Sequence, residues 1–174
     1  MSHLIPPVDA GDHVSGPRSA PIVLVEFGDF QCSYCGAAYP ELKAVKQALG
    51  DKLCFVFRNF PLVELHAHAL QAADFAEAAA SEGKFWQMHD MLFEHQNALD
   101  EMSLVRYAQH IGLTAAAVEA ARQGKFRKKV ERDFESGNSS GVQGTPWIFI
   151  NEQRWEGAAK AAVLLEALRK AGVR

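Results

Sequence analysis

The sequence predicts an α/β fold in which one α/β unit, residues 1–61 and 142–174, is interrupted by an all-helical block, residues 62–141. Two observations support this fold class. Short apolar runs rich in β-forming residues occur near the two ends of the chain, whereas the long segment between them shows helical periodicity. The chain has 174 residues, of which 48% are hydrophobic and 22% charged, so it can bury one core that carries an inserted subdomain.

The first unit has the order strand, helix, strand. The apolar run from Ile22 to Phe27 predicts a strand covered on both faces, and the run from Leu53 to Phe57 predicts its parallel neighbour. Residues Tyr39 to Leu49 favour a helix between them. Such a unit is right-handed and places the residues after its first strand at the carboxyl edge of the sheet, where sites in open α/β sheets lie. The Pro- and Gly-rich residues up to Pro21 predict an extended lead-in on the surface.

The middle block has the periodicity of several helices. The segment from Ala67 to Ala80 is alanine-rich and favours a helix. Three further stretches keep their apolar residues on one helical face, and these residues are Phe85, Met88, Leu92 and Phe93, then Leu104, Tyr107, Ala108 and Ile111, then Phe126, Val130 and Phe134. Gly83, Gly112 and Gly124 are placed to end helices, and Thr114 is placed to cap the helix that follows it.

Strand signals return after the helical block. Residues Trp147 to Ile150 predict a strand, Asn151 and Glu152 a hairpin turn, and Gln153 to Glu156 the returning strand. The amphipathic segment from Ala159 to Lys170 predicts a closing helix. The two ends of the chain therefore supply the sheet, and the block between them supplies only helices.

A cysteine pair stands where the first predicted strand gives way to the helical region. Cys32 and Cys35 enclose Ser33 and Tyr34. The unpaired N–H groups of a helix N-terminus favour a thiolate at the first cysteine, by charge and by hydrogen bonding. The thiolate is the reacting species of disulfide exchange, and the second cysteine can resolve a mixed disulfide formed at the first. The sequence therefore predicts a thiol-disulfide oxidoreductase whose redox group is its own Cys32–Cys35 disulfide, with no further cofactor.

The remaining cysteine has a different setting. Cys54 lies inside the apolar run of the second strand. A free cysteine in such a run commonly packs as a small buried hydrophobe. We therefore expect Cys54 to belong to the core.

Charge and hydropathy argue against two classes of partner. Eighteen Lys and Arg residues against 21 Asp and Glu give a net charge of -3, so the chain has no broad positive field for nucleic acid. No apolar run is long enough to span a bilayer, and the first residues lack the basic and then apolar pattern of a secretory signal. We expect no membrane insertion and a cytoplasmic location for the chain as written, or a periplasmic or other extracytoplasmic location if a signal has been removed.

The residues around the cysteine pair resemble those of the DsbA-like form of the thioredoxin fold. The likeness combines a strand that ends in a cysteine pair, a helical insertion after the second strand, and the motif Gly144-Thr145-Pro146 before a hairpin and a last helix. It covers essentially the whole chain. The most similar branch includes domains fused to sodium/proton antiporters, and its motifs read here as Gly16-Pro17, Ala20-Pro21, Glu26 and Asp29-Phe30-Gln31-Cys32-Ser33-Tyr34-Cys35.

The resemblance implies roles for four residues. Cys32 would be the attacking thiol that bonds to the partner, and Cys35 the buried resolving thiol. Pro146 would be a cis proline that faces the pair. The backbone of Thr145 would then pair with an extended substrate segment, strand to strand.

The two residues between the cysteines depart from the family pattern. Relatives often have proline directly after the first cysteine, and the well-known periplasmic oxidants have a histidine inside the pair, whereas this chain has Ser33 and Tyr34. Neither residue is a cation, so the lowering of the Cys32 pKa depends on the helix end and on nearby N–H donors. We expect Ser33 and Tyr34 to contact substrate, and we expect a milder oxidant than the strongest members of the family.

Family members commonly keep an acidic residue beneath the pair, and Glu26 occupies that position here. A carboxylate in an apolar strand is costly to bury in its charged form, so its pKa should be raised. A raised pKa suits a proton acceptor for Cys35 during resolution of the mixed disulfide. The alternative is an edge-exposed Glu without a role.

Two other functions remain open at this point. A metal-binding module could combine the cysteine pair with histidines. The candidate ligands are His66, His68, His89, His95 and His110. Their spacing argues against it, because His66 and His68, two apart on a predicted helix, point to different faces. A glutathione-dependent transferase or isomerase of the same fold is the second alternative, although such relatives typically have a serine or a lone thiol in place of the pair.

The predicted reaction also implies partners. These are thiol- or disulfide-bearing proteins or small thiols, together with a redox-recycling partner that restores the starting state of the pair. Isomerases of this fold usually carry a dimerisation segment, and the sequence shows no spare segment of that kind. We therefore expect a monomer.

Overall fold

A computed structural model describes residues 2–172. The strands in that range are β1 (His13–Ser15), β2 (Ile22–Gly28), β3 (Leu53–Asn59), β4 (Trp147–Ile150) and β5 (Gln153–Trp155). The α-helices are α1 (Ser33–Leu49), α2 (Ala69–Ser81), α3 (Phe85–Glu94), α4 (Glu101–His110), α5 (Ala115–Arg122), α6 (Arg127–Ser139) and α7 (Ala161–Ala171).

The strands form a mixed sheet in the order β1-β3-β2-β4-β5. Strand β2 pairs parallel with β3 and antiparallel with β4, while β1 and β5 pair antiparallel at the two edges. The parallel pair and the helix α1 between its strands confirm the predicted strand-helix-strand unit. Strand β2 is central, and all of its residues except Val23 are buried. A site at the carboxyl end of β2 is therefore supported by packing on both faces of the sheet.

The two faces of the sheet carry separate cores. Leu24 and Phe57 belong to the core that α1 and the inserted helices cover. Phe27 and Phe149 belong to the core on the other face. Successive side chains of a strand point to opposite faces, so the residues of β2 contribute alternately to the two cores. Cys54 is 1% exposed and packs in the second core, as expected.

Helices α2 to α6 lie between β3 and β4, so the predicted helical insertion is confirmed. Gly83, Gly112 and Gly124 follow α2, α4 and α5 with φ angles of 71°, 80° and 63°. This left-handed conformation ends a helix, and glycine adopts it without a Cβ clash. Thr114 caps α5 as predicted, because its hydroxyl accepts a hydrogen bond from the N–H of Ala117 at 3.2 Å.

The lead-in lies largely on the surface, as predicted, but parts of it pack against the sheet. Residues His13–Ser15 form the edge strand β1, and Leu4 is 3% exposed. The buried guanidinium of Arg58 accounts for part of this packing, because a buried cation needs acceptors. It donates to the carboxylate of Asp12 at 2.8 Å and to the carbonyl of Pro6 at 2.9 Å. A three-residue strand is too short to show an alternating pattern in the sequence.

Helix α1 begins at Ser33, so the cysteine pair lies at a helix start as predicted, ahead of the helix-forming stretch from Tyr39 to Leu49. Cys32 is its N-cap residue, with extended backbone angles of φ -69° and ψ 122°. The Cys32 N–H donates to the carbonyl of Asp29 at 3.1 Å, in the turn that precedes the helix. Both cysteines therefore lie at the helix start. Shifts of one or two residues occur at the ends of β3, β5, α2 and α7, where element ends fray.

Two expectations concern the chain as a whole. No helix among residues 2–172 has both the length and the apolar character that crossing a bilayer requires. The division into residues 1–61 with 142–174 and residues 62–141 stays a prediction. Residues 1 and 173–174, which that division includes, lie outside the described residues.

Candidate active site

A buried carboxylate organises the loop that carries the cysteine pair. Asp29, at the end of β2, is 1% exposed. Its carboxylate accepts hydrogen bonds from the N–H groups of Gln31 at 2.8 Å, Cys32 at 3.2 Å and Leu62 at 2.8 Å, and it contacts the His66 ring at 2.8 Å. Asp29 thus ties the β2–α1 loop to the loop after β3. Sequence reasoning assigned it no role, although an Asp shortly before a helix start is a known signal of such local hydrogen bonding.

The two thiols of the pair have opposite acidities. The hydrogen bond from the Cys35 thiol, aided by the Thr145 side chain and by the N–H groups of Cys35 and Tyr34, lowers the pKa of Cys32 to about 5, against the opposing effect of burial. Burial, together with that hydrogen bond to Cys32, raises the pKa of Cys35. Cys35 is 0% exposed, and Cys32 is 4% exposed. Cys32 is therefore the thiolate of the pair at neutral pH, and Cys35 stays protonated behind it.

The predicted Thr145–Pro146 segment lies against the first cysteine. The Thr145 carbonyl is 3.5 Å from the Cys32 Sγ. The Thr145–Pro146 bond is cis, as the resemblance implied. The buried Thr145 hydroxyl has no other hydrogen-bond partner among the described residues, which leaves it free to stabilise the thiolate. The Thr145–Pro146 segment, which directly precedes β4, therefore lies beside Cys32.

Glu26 is buried on the central strand and is not at a sheet edge. It is 2% exposed and lies in register with Phe57 of β3 and Ile148 of β4. Its Oε1 atom has no hydrogen-bond partner among the described residues. Burial raises the pKa of Glu26 to about 8, the charge of Lys46 opposes that rise, and the Cys32 thiolate adds to it. The expected direction of the shift is therefore present in the structure.

A cavity of about 200 Å³ connects Glu26 with polar groups of α1 and α3. Its lining includes Lys46 and Gln47 from α1 and His89 and Asp90 from α3. Such a cavity is large enough to hold water, and its walls offer several polar partners. The buried carboxyl group is therefore not sealed in an apolar core.

The two residues between the cysteines point outward. Tyr34 is 76% exposed, and Ser33 is also exposed. They lie on the same turn as the thiolate, at the surface that an incoming substrate would approach. Their predicted contact with substrate rests on this exposure and on their position in the sequence.

A residue of the helical block also reaches the pair. The amide of Gln96, between α3 and α4, donates through its Nε2 atom to the carbonyls of Phe30 at 2.9 Å and Cys32 at 2.8 Å. Gln96 is 64 positions from Cys32 in the sequence. The sequence contains no local signal for such a contact, because it depends on how the inserted helices pack.

Three of the five histidines named as candidate metal ligands have other contacts. His66 and His68 precede α2 and are not on a helix, contrary to the prediction. His66 contacts Asp29, His95 Nδ1 lies 2.8 Å from a backbone carbonyl of α3, and His89 is 3% exposed among aromatic rings. Across residues 2–172, no three side chains of His, Cys, Asp or Glu come together as a metal site. These contacts give the metal-binding alternative no support.

Curated relatives match the chain along nearly its whole length. The Na(+)/H(+) antiporter NhaA 3 of Salinispora tropica is 41% identical over 174 residues, which cover 97% of this chain and 26% of that protein. The Na(+)/H(+) antiporter NhaA of Herminiimonas arsenicoxydans is 37% identical over 172 residues, covering 96% of this chain and 27% of that protein. The chain thus spans about a quarter of the length of these relatives.

Solved structures share the fold. BdbD from Bacillus subtilis, in its oxidised form, superposes with a TM-score of 0.86 at 24% identity and covers 100% of this chain and 98% of its own. The thiol-disulfide exchange protein alpha-DsbA2 from Wolbachia pipientis superposes with a TM-score of 0.81 at 22% identity. The superposition covers 93% of this chain and 88% of the Wolbachia chain. A family model described as thioredoxin matches residues 9–170. The chain therefore belongs to the thioredoxin family and has the thioredoxin fold with a DsbA-like helical insertion.

Proposed function

We propose that the protein is a thiol-disulfide oxidoreductase that exchanges disulfides with thiol- or disulfide-bearing proteins or small thiols through Cys32 and Cys35. The observation that carries the proposal is the placement of two neighbouring thiols at one helix start, with Cys32 against the Thr145 carbonyl and Cys35 buried behind it. The opposite shifts of their pKa values agree with this placement. A low-pKa thiol can attack a disulfide or leave from one, and a protonated neighbour can resolve the intermediate. The Wolbachia structure is described as a thiol-disulfide exchange protein, and we extend that chemistry to this chain.

In the oxidising direction, a substrate thiolate attacks Sγ of Cys32 in the Cys32–Cys35 disulfide. The new substrate–Cys32 bond forms as the Cys32–Cys35 bond breaks, and Cys35 leaves as a thiolate. A second substrate thiolate then attacks the substrate sulfur of the mixed disulfide and displaces Cys32. The substrate loses two electrons and gains a disulfide, while the protein becomes the dithiol. A recycling partner that carries a disulfide must reverse this change in the protein.

Glu26 donates and accepts the proton that Cys35 gains or loses in these steps. When Cys35 leaves as a thiolate, the protonated carboxyl group of Glu26 can donate to it. In the reducing direction, the Glu26 carboxylate accepts the Cys35 proton before Cys35 attacks Cys32 in the mixed disulfide. A pKa of about 8 keeps both forms accessible near neutral pH.

The acidity of Cys32 bears on the direction of exchange. A stable thiolate favours the reduced protein and therefore favours oxidation of the substrate. The pKa of about 5 lies between the values of roughly 7 in thioredoxin and roughly 3.5 in DsbA. We therefore propose an oxidant milder than the strongest members of the family, in agreement with the absence of a cation at Ser33 and Tyr34.

The test uses two cysteine variants and a reduced dithiol peptide as substrate. Cys32→Ser should abolish peptide oxidation, because no attackable disulfide remains. Cys35→Ser is mixed instead with the disulfide-linked dimer of a one-cysteine peptide. The Cys32 thiolate should attack that disulfide and release one peptide as a thiolate, and the resulting mixed disulfide should accumulate as a mass increase that a reductant reverses, because Cys35 is absent. Cys54→Ala serves as the matched control and should oxidise the peptide at the parent rate. Oxidation by the Cys32→Ser protein at the parent rate would refute the proposal.

A further inference from the structure

The inserted helices contact the redox loop through the side chain of Gln96. Its Nε2 atom lies 2.8 Å from the carbonyl of Cys32. The same carbonyl accepts the first helical hydrogen bond of α1, from the N–H of Gly36 at 3.0 Å. Two donors, one from α1 and one from the helical block, thus converge on the backbone oxygen of the reactive cysteine. A second bond of Gln96, to the Phe30 carbonyl at 2.9 Å, fixes the turn before the helix.

Gly36 provides the space that Gln96 occupies. A Cβ atom on Gly36 would lie 1.9 Å from the Gln96 Oε1 and 2.6 Å from its Cδ. Gly36 is inside α1 and has no positive φ angle, so its backbone conformation is open to any residue. Alanine would favour the helix more than glycine does. The glycine at this position is therefore explained by the contact with Gln96 and not by a turn.

The Asp29 carboxylate accepts from the Cys32 N–H just before the first turn of α1, and the Gln96 amide donates to the Cys32 carbonyl. The Cys32 side chain makes no capping hydrogen bond. The N–H groups of Tyr34 and Cys35, which this turn directs at the Cys32 sulfur, contribute to the acidity of Cys32. Hydrogen bonds to a charged sulfur depend strongly on distance and angle. A group that fixes this turn therefore acts on the thiolate without touching it.

We propose that Gln96 is a positioning residue through which the helical block holds the first turn of α1 in the geometry that stabilises the Cys32 thiolate. This inference rests on the proposed function of the cysteine pair. The inserted helical block thereby takes part in the chemistry, because one of its amides donates hydrogen bonds to the loop that carries the cysteine pair. This role also explains why a residue 64 positions away in the sequence donates twice to that loop.

The first test is Gln96→Leu, which removes the donor and keeps a side chain of similar size. The measurements are the ultraviolet absorbance of the thiolate as a function of pH and the thiol-disulfide equilibrium of the protein with glutathione. We expect the pKa of Cys32 to rise by about one unit and the equilibrium to shift toward the oxidised protein. Gln123→Leu is the matched control, because the Gln123 amide bonds to Glu119 within α5, and it should leave both quantities unchanged.

The second test is Gly36→Ala, which displaces the Gln96 amide from the opposite side. Because alanine favours a helix, the melting temperature should stay constant or rise, whereas the pKa of Cys32 should rise as in Gln96→Leu. The double variant should show no further increase in that pKa, since both changes remove the same contact. A merely structural role would lower the melting temperature and leave the pKa of Cys32 at the parent value.

The outcomes separate this inference from the proposed function. If folded Gln96→Leu and Gly36→Ala proteins both titrate at the parent pKa, the positioning role is wrong. If Gln96→Leu does not fold, the Gly36→Ala titration alone decides in the same way. The titration uses no substrate, so its result does not depend on exchange activity. The proposed function is instead refuted by peptide oxidation in Cys32→Ser.

Discussion

Lys46 and Glu26 line the same cavity, although one belongs to α1 and the other to the central strand β2. The Lys46 Nζ lies 4.7 Å from the centre of the Trp86 ring and 5.0 Å from that of Phe55. Burial lowers the pKa of Lys46, and the charges of Asp90 and Glu26 oppose that change. The ammonium group in turn restrains the rise of the Glu26 pKa. A cation beside two aromatic rings thus adjusts the acidity of the carboxyl group beneath the cysteine pair.

Lys46→Met should raise the pKa of Glu26 above its parent value of about 8, because the opposing positive charge is lost. We expect a shift of about half a unit or more. The measurement is a carbon NMR titration of the Glu26 carboxyl group in the reduced protein. Lys43→Met is the matched control, since Lys43 borders the same cavity on the same helix but its side chain is 49% exposed. Equal shifts in the two variants would contradict a specific effect of Lys46.

Glu26→Gln should slow resolution more than initial attack. The Cys32 thiolate forms without Glu26, whereas Cys35, whose pKa is raised, must lose a proton before it attacks the mixed disulfide. General-base groups contribute about 100-fold or more, so we expect at least about 10-fold slower resolution at neutral pH and an initial attack within about twofold of the parent rate. Stopped-flow reaction of the reduced protein with a model disulfide separates the two phases.

The pH profile of the same reaction gives an independent check on Glu26. In the parent protein, the rate of resolution should rise with pH through about 8, as the carboxylate becomes available to accept the proton. That step should be missing from the Glu26→Gln profile. Glu64→Gln, a change at an exposed carboxyl group of the loop after β3, should keep the parent profile. A Gln variant that retains the step near pH 8 would assign it to another group.

Stability should depend on pH with opposite signs for Glu26 and Cys32 in the reduced protein. Between pH 4.5 and about 8, Glu26 keeps its proton only when folded, so the folded state binds more protons and its stability falls as pH rises. Between about 5 and 9.0, Cys32 keeps its proton only when unfolded, so stability rises with pH. The two contributions oppose each other between pH 5 and 8.

Single variants should reveal each contribution in chemical denaturation at several pH values. Relative to the parent, Glu26→Gln should gain stability as pH rises from 4.5, reaching about 3 kcal/mol at pH 7, and should show almost no gain at pH 4. Cys32→Ser should lose stability relative to the parent as pH rises above about 5. Differences of the same sign in both variants would contradict these assignments.

The sequence predicted those parts of the fold and site that depend on local signals. The apolar run of β2 and the cysteine spacing locate the thiols at a helix start, because strand and helix periodicities are read within one segment. Glycine caps and Thr114 marked the helix ends for the same reason. The helix-forming stretch from Tyr39 to Leu49 did not show how α1 continues back to Ser33, since that first turn depends on contacts that Asp29 organises.

Contacts between distant segments could not be predicted in this way. The Gln96 amide meets the Cys32 carbonyl only because α3, which Gln96 follows, packs beside α1. Lys46 is visible in the sequence, but its position beside Trp86 and Phe55 depends partly on the inserted helix α3, which carries Trp86. The groups that shift the pKa values of Cys32 and Glu26 lie outside the insertion, whereas the insertion supplies contacts that hold some of them in place, and a single sequence carries little information on such packing.

Asp29→Ala should destabilise the reduced protein by about 3 kcal/mol, because the N–H groups of Gln31, Cys32 and Leu62 lose their shared acceptor. An unsatisfied buried donor costs about 1–3 kcal/mol, and the partly exposed Gln31 can recover a partner in water. Asp29→Asn keeps one acceptor oxygen and should cost less than Asp29→Ala.

Asp9→Ala is the matched control for this loss. Asp9 pairs with Arg132 on the surface, where both side chains are more than 40% exposed, so its removal should cost less than about 1 kcal/mol. The measurement is urea denaturation of the reduced proteins at neutral pH. If Asp29→Ala cost no more than Asp9→Ala, the β2–α1 loop would be held by its backbone turn alone, and Asp29 would not be the group that fixes the position of Cys32.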